Sequence, residues 1–203
     1  MDQTGAIPPT DPPRLPSRRE HIFIVSAPSG AGKTTLCRAA LNRLPDLSYS
    51  VSYTTRLPRP GEVDGRDYAF ISIAEFEEGI DAGRWAEWAR VHGNYYGTSA
   101  DVLNRAVAAG RDILLDIDVQ GAQQIRSRFP RSVSIFIMPP SLDILAKRLQ
   151  ARGRDDPEDM ALRLRNAREE MAQKEAYDHV IVNDRLETAV EELIAVIESR
   201  RRE

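Results

Sequence analysis

One cysteine stands in 203 residues. An internal disulfide is therefore impossible, and a disulfide-stapled secreted scaffold is excluded. Leu36, Ala40 and Leu41 surround Cys37, which reads as a buried structural thiol rather than a nucleophile. Histidine is scarce too. His21, His92 and His179 are scattered, and zinc needs its ligands clustered. No apolar run approaches the roughly 20 residues that cross a bilayer, and the start has no apolar signal-peptide core. A cationic excess is missing as well: 28 Lys and Arg face 31 Asp and Glu, a net charge of −3, which argues against a broad nucleic-acid face. These absences point to a cytoplasmic protein with small-molecule partners, no nucleic acid and no membrane.

What is present suits one α/β domain with insertions, since the chain is too short for two full domains with separate cores. Residues 1–20 hold five of the thirteen prolines and read as a disordered extension. Ile22–Val25 is a short β-branched run of the kind buried on both faces of a sheet. A glycine-rich turn follows, then a helix from Thr34 to Leu44 that Pro45 stops. Residues 48–98 change character. Short strands at Tyr49–Tyr53, Tyr68–Ile71 and Trp85–Val91 alternate with turns, Ser72 and Glu75 form a capping box, and Gly79 is placed to close the helix it opens. Gly93-Asn94 reads as a hairpin turn. From Ser99 strands and helices alternate again, with strands at Ile113–Ile117, Val133–Met138 and Val180–Val182. That rhythm implies a parallel sheet flanked by helices, with a small, mainly antiparallel insertion. The expected division is a core of 21–47, 99–140 and 178–203, an insertion of 48–98 and a helical segment of 141–177.

Ala27-Pro28-Ser29-Gly30-Ala31-Gly32-Lys33-Thr34 matches the P-loop pattern except at its first position, where alanine replaces glycine. Gly30 and Gly32 let successive backbone N–H groups converge on an anion, and the next helix adds its N-terminus. Lys33 then reaches the β- and γ-phosphates of ATP, and the Thr34 hydroxyl serves Mg²⁺. Ile113–Asp118 is an apolar strand ending in carboxylates. Parallel strands deliver their C-terminal ends to the ligand crevice, so Asp116 and Asp118 are expected there.

A P-loop names the donor but not the acceptor. Ser52-Tyr-Thr-Thr-Arg56-Leu-Pro-Arg59-Pro-Gly-Glu62, Asp67-Tyr68, Glu87-Trp-Ala, Gly93-Asn-Tyr-Tyr96-Gly-Thr98, Leu115-Asp116-Ile-Asp118-x-Gln-Gly, Pro139-Pro-Ser, Arg148-Leu-x-x-Arg152-Gly and Ile181-Val-Asn-Asp184 together resemble the guanylate kinases, over residues 21 to about 200. The resemblance implies that the γ-phosphoryl of ATP passes to GMP. It also implies that Arg56 and Arg59 grip the GMP phosphate, helped by the hydroxyls of Tyr68 and Tyr96. Glu87 would read guanine, with Ser52 and Thr98 beside it. Arg148, Arg152 and Arg163 would belong to a lid that closes on ATP, and Asn183 would meet the adenine.

Chemistry agrees with each assignment. Guanidinium–phosphate pairs are charge-assisted and can be bidentate. A carboxylate accepts from both N1–H and the N2 amine of guanine, whereas adenine offers no proton at N1. Such unpaired polar groups discriminate by about 10⁴-fold. A kinase for AMP, TMP or a sugar phosphate has no use for Glu87 and Ser52. A catalytically dead scaffold domain has none for Lys33 and Thr34. Trp85 and Trp88 read as packing residues.

Overall fold

The computed structural model describes residues 20–91, 93–151 and 157–202. Five parallel strands form the main sheet: β1 (Ile22–Ser26), β2 (Ser48–Ser50), β7 (Ile113–Asp116), β8 (Val133–Met138) and β9 (His179–Val182), in the order β2-β7-β1-β8-β9. Every residue of β1 is buried, because alternate side chains enter two cores. Phe23 and Val25 pack with Leu36 and Ala40 of helix α1 (Lys33–Arg43) and Leu193 of α7 (Leu186–Arg201). Ile22 and Ile24 point the other way, to Leu103 of α3 (Ala100–Ala108) and Ile125 of α4 (Val119–Arg128). Each such side chain contributes about 1.5–3 kcal/mol by leaving water. This two-sided burial fixes β1, so the loop that leaves its end starts from a rigid point.

A second sheet has the order β4-β3-β6-β5, built from β3 (Tyr53–Thr54), β4 (Ala69–Phe70), β5 (Trp85–Val91) and β6 (Asn94–Ser99). Its β3–β6 and β5–β6 pairs are antiparallel, and β3–β4 is parallel. Helix α2 (Ile73–Asp81) covers it, with Phe76 stacked between Trp85 and Tyr95 at ring separations of 4.4 and 5.0 Å. Ser72 and Glu75 form the expected capping box. Trp85 is buried and donates its indole N–H to the Phe76 carbonyl, and Trp88 lies edge-on to Tyr95, so both tryptophans are packing residues.

Three local expectations change. Gly79 does not end α2; it lies within it, where a Cβ would stand 2.8 Å from the Trp85 ring, and the chain reverses at Gly83 with φ 64°. Asn94 is a strand residue paired with Val91, leaving the positive φ of 80° to Gly93. Tyr49–Tyr53 is two strands rather than one. β2 pairs with β7, so Ser48–Ser50 belongs to the main sheet and not to the insertion. The chain changes sheets at Val51-Ser52, which leaves Ser52 buried at the crossing, its carbonyl accepting from the Ala69 N–H.

Helices α5 (Leu142–Gln150) and α6 (Pro157–Ala172) share a small core of Leu145, Leu149 and Ala167. Along β5, Gln124 of α4 behaves like a further strand. Its amide donates to the Trp88 carbonyl at 2.8 Å and accepts from the Trp88 N–H at 3.2 Å. Arg38 of α1 pairs with Asp67 in the second sheet's long loop. Helices α4 and α1 thus tie the second sheet to the rest of the fold at two places.

Candidate active site

Between β1 and α1 the chain forms the phosphate loop. Gly30 and Gly32 take φ of 94° and 93°, conformations that L side chains rarely adopt. Space is closed at both as well. A Cβ on Gly30 would lie 2.7 Å from Leu149, and one on Gly32 would lie 2.5 Å from the Asn183 amide nitrogen. Helix α1 opens directly after Gly32, so its unpaired N–H groups and positive end face the loop.

Asn183, expected at the adenine, is tied to the phosphate loop. It is buried, its backbone N–H donates to the Met138 carbonyl, and its side-chain nitrogen donates to the Ala31 carbonyl at 2.7 Å. Arg148 donates to the same carbonyl at 3.4 Å and to the Asn183 carbonyl at 3.0 Å. Both residues brace the loop from behind. They border a more open hollow with Thr35 and Leu186, which meets the main cavity at Gly30 and Gly32.

The main cavity encloses about 280 Å³ and runs from the phosphate loop to the second sheet. Lys33 and Thr34 line one end, with Thr34 exposed. The Lys33 ammonium lies 2.8 Å from Asp116 and donates to the Ile117 carbonyl at 2.6 Å. Burial opposes its charge, but Asp116 outweighs burial and holds the ammonium above the usual lysine range. Register explains the pairing: Asp116 stands beside Val25 at the C-terminal edge of the sheet. Asp118 also borders the cavity, but its Oδ1 accepts from the N–H groups of Gln120 and Gly121 and caps α4. It is a capping residue before it is a ligand.

Glu87 and Ser52 line the far end. Glu87 is 4% exposed, and burial, reinforced by the charge of Asp118, pushes its carboxyl up to about 7. Thr98 donates to Glu87 Oε1 at 2.6 Å. Thr98 is wholly buried, so it orients Glu87 from behind rather than facing the cavity itself. The other oxygen, Oε2, sits over Gly121. A Cβ there would overlap Oε2 and stand 2.9 Å from the carboxyl carbon. Glu87 is therefore fixed by Thr98, through its hydroxyl and its backbone, and by one missing side chain.

Arg59, Tyr68 and Tyr96 form the side wall. Arg56 stands just behind it, with its guanidinium 5.2 Å from the Tyr68 ring centroid and beside the Tyr96 hydroxyl. Glu62 holds it there: Nη1 and Nη2 each donate to one Glu62 oxygen at 2.9 Å. Glu62 Oε2 also accepts from the Arg59 N–H at 2.7 Å. Burial raises the Glu62 carboxyl, but Arg56 and the Arg59 amide outweigh this and keep it below the ordinary glutamate range.

From α6, Arg163 reaches the cavity and donates to the Ser29 hydroxyl at 2.7 Å. Glu170, two turns further along, joins it and accepts from the Ser29 amide. Burial pushes the Glu170 carboxyl up to about 7, with Lys33 pulling it back. Arg152 lies outside the described residues.

Sequence reasoning gave no role to Glu62 and Gly121, which stand within quoted motifs, and none to Glu170. The i, i+7 spacing of Arg163 and Glu170 on a helix was the one available sign for Glu170. Nothing local tied Gly121 to Glu87.

Comparison with known proteins shows what the chain is similar to. The family model described as guanylate kinase matches residues 19–200. A protein named guanylate kinase from Geobacter sulfurreducens is 53% identical over 176 residues, covering 87% of each chain. One of the same name from Aromatoleum aromaticum is 52% identical over 180 residues, covering 89% of this chain and 88% of its own. The crystal structure of guanylate kinase from Anaplasma phagocytophilum superposes with a TM-score of 0.78 at 33% identity, covering 92% of this chain and 88% of that one.

Proposed function

The chain belongs to the guanylate kinase family, and from that membership we propose how its cavity carries out the ATP-dependent phosphorylation of GMP to GDP. The observation that carries the reading is a buried carboxylate, Glu87, sharing one cavity with the phosphate-loop lysine. ATP phosphates lie in the loop Ala27–Thr34, against Lys33 and Arg163. GMP lies across the second sheet, with its base on Glu87 and Ser52 and its phosphate between Arg56, Arg59, Tyr68 and Tyr96. Helices α5 and α6 act as the lid over ATP, and the second sheet as the GMP-binding unit.

The attacking group is a phosphate oxygen whose second ionisation has a pKa of about 6. It is largely deprotonated at neutral pH, so no general base is required. The obstacle is repulsion between two anions that must meet in line. The chain's cations meet it: Lys33 and Arg163 on the donor, Arg56 and Arg59 on the acceptor. A lid closed on Ser29 keeps water from competing for the phosphoryl group.

Thr34 offers a hard, exposed oxygen, which fits Mg²⁺. Among the described residues no group of three or more His, Cys, Asp or Glu could hold a metal. That suits Mg²⁺, which takes few protein ligands and keeps phosphates and waters. Bound there, Mg²⁺ would neutralise phosphate charge. None of the assigned contacts uses the ribose hydroxyls, so dGMP is expected to serve as well. No helix among the described residues is long and apolar enough to cross a membrane, and we place the enzyme in the cytoplasm, where its substrates are.

A coupled assay of ADP release across GMP, AMP and TMP tests the reading; turnover of AMP in preference to GMP overturns it. Two finer outcomes are expected. Glu87 accepts from guanine only when ionised, and burial pushes its carboxyl up to about 7. Binding of GMP should therefore weaken as pH falls through 7, by about tenfold per unit once well below it. Fluorescence titration from pH 5.5 to 8.5 would show that limb, and Glu87→Gln should erase it while keeping the limb of the phosphate itself. Gly121→Ala should raise KM for GMP by about 10–100-fold with little change in KM for ATP, because the new methyl displaces Glu87 Oε2. Steady-state kinetics with each substrate varied in turn would read that split.

A further inference from the structure

Arg56 is an arginine whose end-on fork is filled while its Nε stays unpaired, next to the hydroxyl of Tyr96, which also hydrogen-bonds the guanidinium. Its end-on fork, Nη1 and Nη2, is filled by the two oxygens of Glu62, and Nη1 also donates to the Leu57 carbonyl at 2.7 Å. Its Nε is buried and has no hydrogen-bond partner. A guanidinium carries five donors, and a buried one left unpaired is unfavourable unless something arrives to take it. The Nε–Nη2 side edge is the second place where an arginine can hold two oxygens at once. Stacking against Tyr68 and Phe70, at 5.2 and 5.7 Å, prevents the plane from tilting.

We propose that Glu62 is a positioning residue for the acceptor phosphate: it clamps the end-on fork of Arg56 so that the side-on edge, Nε with Nη2, is presented to the phosphate of the nucleoside monophosphate. The same carboxylate accepts from the Arg59 N–H. One acid therefore sets the distance between the two arginines of the Pro-rich loop. Without it, Arg56 would choose among rotamers, and an arriving phosphate would have to order the side chain itself. Glu62 is 20% exposed at its side chain and holds the end-on fork, away from Nε, so it need not leave when the phosphate binds and joins the Tyr96 hydroxyl there.

The inference rests on the reading of Arg56 as a phosphate ligand, and the test separates the two. Glu62→Gln keeps an oxygen for the Arg59 N–H but turns an amine toward Arg56, breaking the fork while sparing the loop. KM for GMP should rise by about tenfold, with KM for ATP unchanged and kcat within about twofold. Glu62→Asp keeps the charge but is one methylene short, and an intermediate rise is expected. In an Arg56→Lys background, where there is no fork to hold, Glu62→Gln should add less than about twofold. Thermal melts confirm that each variant is folded, and should Glu62→Gln not fold, Glu62→Asp is read in its place. An unchanged KM for GMP, equal rises for both substrates, or additive effects in the double variant would overturn the role of Glu62. If the parent enzyme fails to phosphorylate GMP, the functional reading fails instead.

Discussion

Lys33→Ala is expected to lower kcat by at least about 10³-fold, the scale of losing a charge-stabilising donor in a site that excludes water. KM for GMP should hardly move, because Lys33 lies at the donor end of the cavity and Glu87 and Ser52 at the other. The variant also has a second effect. Lys33 is the ion-pair partner of Asp116, whose side chain is 7% exposed. Removing one member of a buried pair strands the other, at a cost of about 3 kcal/mol or more in closed surroundings. Here the pair borders a water-accessible cavity, so the loss should be smaller. Lys33→Ala combined with Asp116→Asn separates the two roles: thermal stability should recover and activity should not. Single-turnover measurement of GDP formation, alongside melting curves, reads both. A double variant that regained activity would mean that Lys33 matters only as the neutraliser of Asp116.

Glu87→Gln is expected to collapse the choice of base. Thr98 can still donate to the remaining oxygen, so the side chain should keep its place. Its other end changes from an acceptor to an amine donor, which faces the N1–H of guanine donor to donor. Adenine, with an acceptor at N1 and an amine at C6, becomes the better match. Buried polar mismatches of this kind discriminate by about 10⁴-fold, so the GMP-to-AMP ratio of kcat/KM should fall by at least about 10²-fold. Parallel kinetics on the two nucleotides measure it directly. A ratio that stays within threefold of the parent's would remove Glu87 from the role of base reader and leave guanine recognition to Ser52 and the backbone.

The contrast between these residues and those the sequence left unread is physical. The phosphate loop was legible because its requirements are local: two glycines at positive φ, a strand before, a helix after. The capping box at Ser72 and Glu75 was legible for the same reason. Gly79 looked like a helix terminator because a glycine's local meaning is flexibility; its reason here is the Trp85 ring, which approaches from a different element. Gly121 is the same kind of case across a longer gap, since its missing side chain matters only where Glu87 folds over it. Asn183 sits after the last strand, where turn residues are common, and its bond to Ala31 joins positions 152 residues apart. Charge alone could not say which of many acids would face Arg56. The split of Tyr49–Tyr53 went unseen because one β-rich run can serve two sheets, and partner choice is not written in the run itself. Periodicity reports what a segment buries, whereas these features report what else comes to lie against it.

The brace behind the phosphate loop carries a consequence of its own. Ala31 is tethered through Asn183 to the end of β9, near the C-terminal part of the chain, and Gly30 is pressed by Leu145 and Leu149 of α5. The loop's shape thus depends on the docking of the last-made strand. ATP meets a receptor already in form, and little of its binding energy is diverted to moulding it. The reverse side of that arrangement is a shared dependence. During synthesis the loop emerges early yet cannot be locked until β9 has paired with β8, so competence to bind nucleotide should arrive late, as a sign that the sheet is complete.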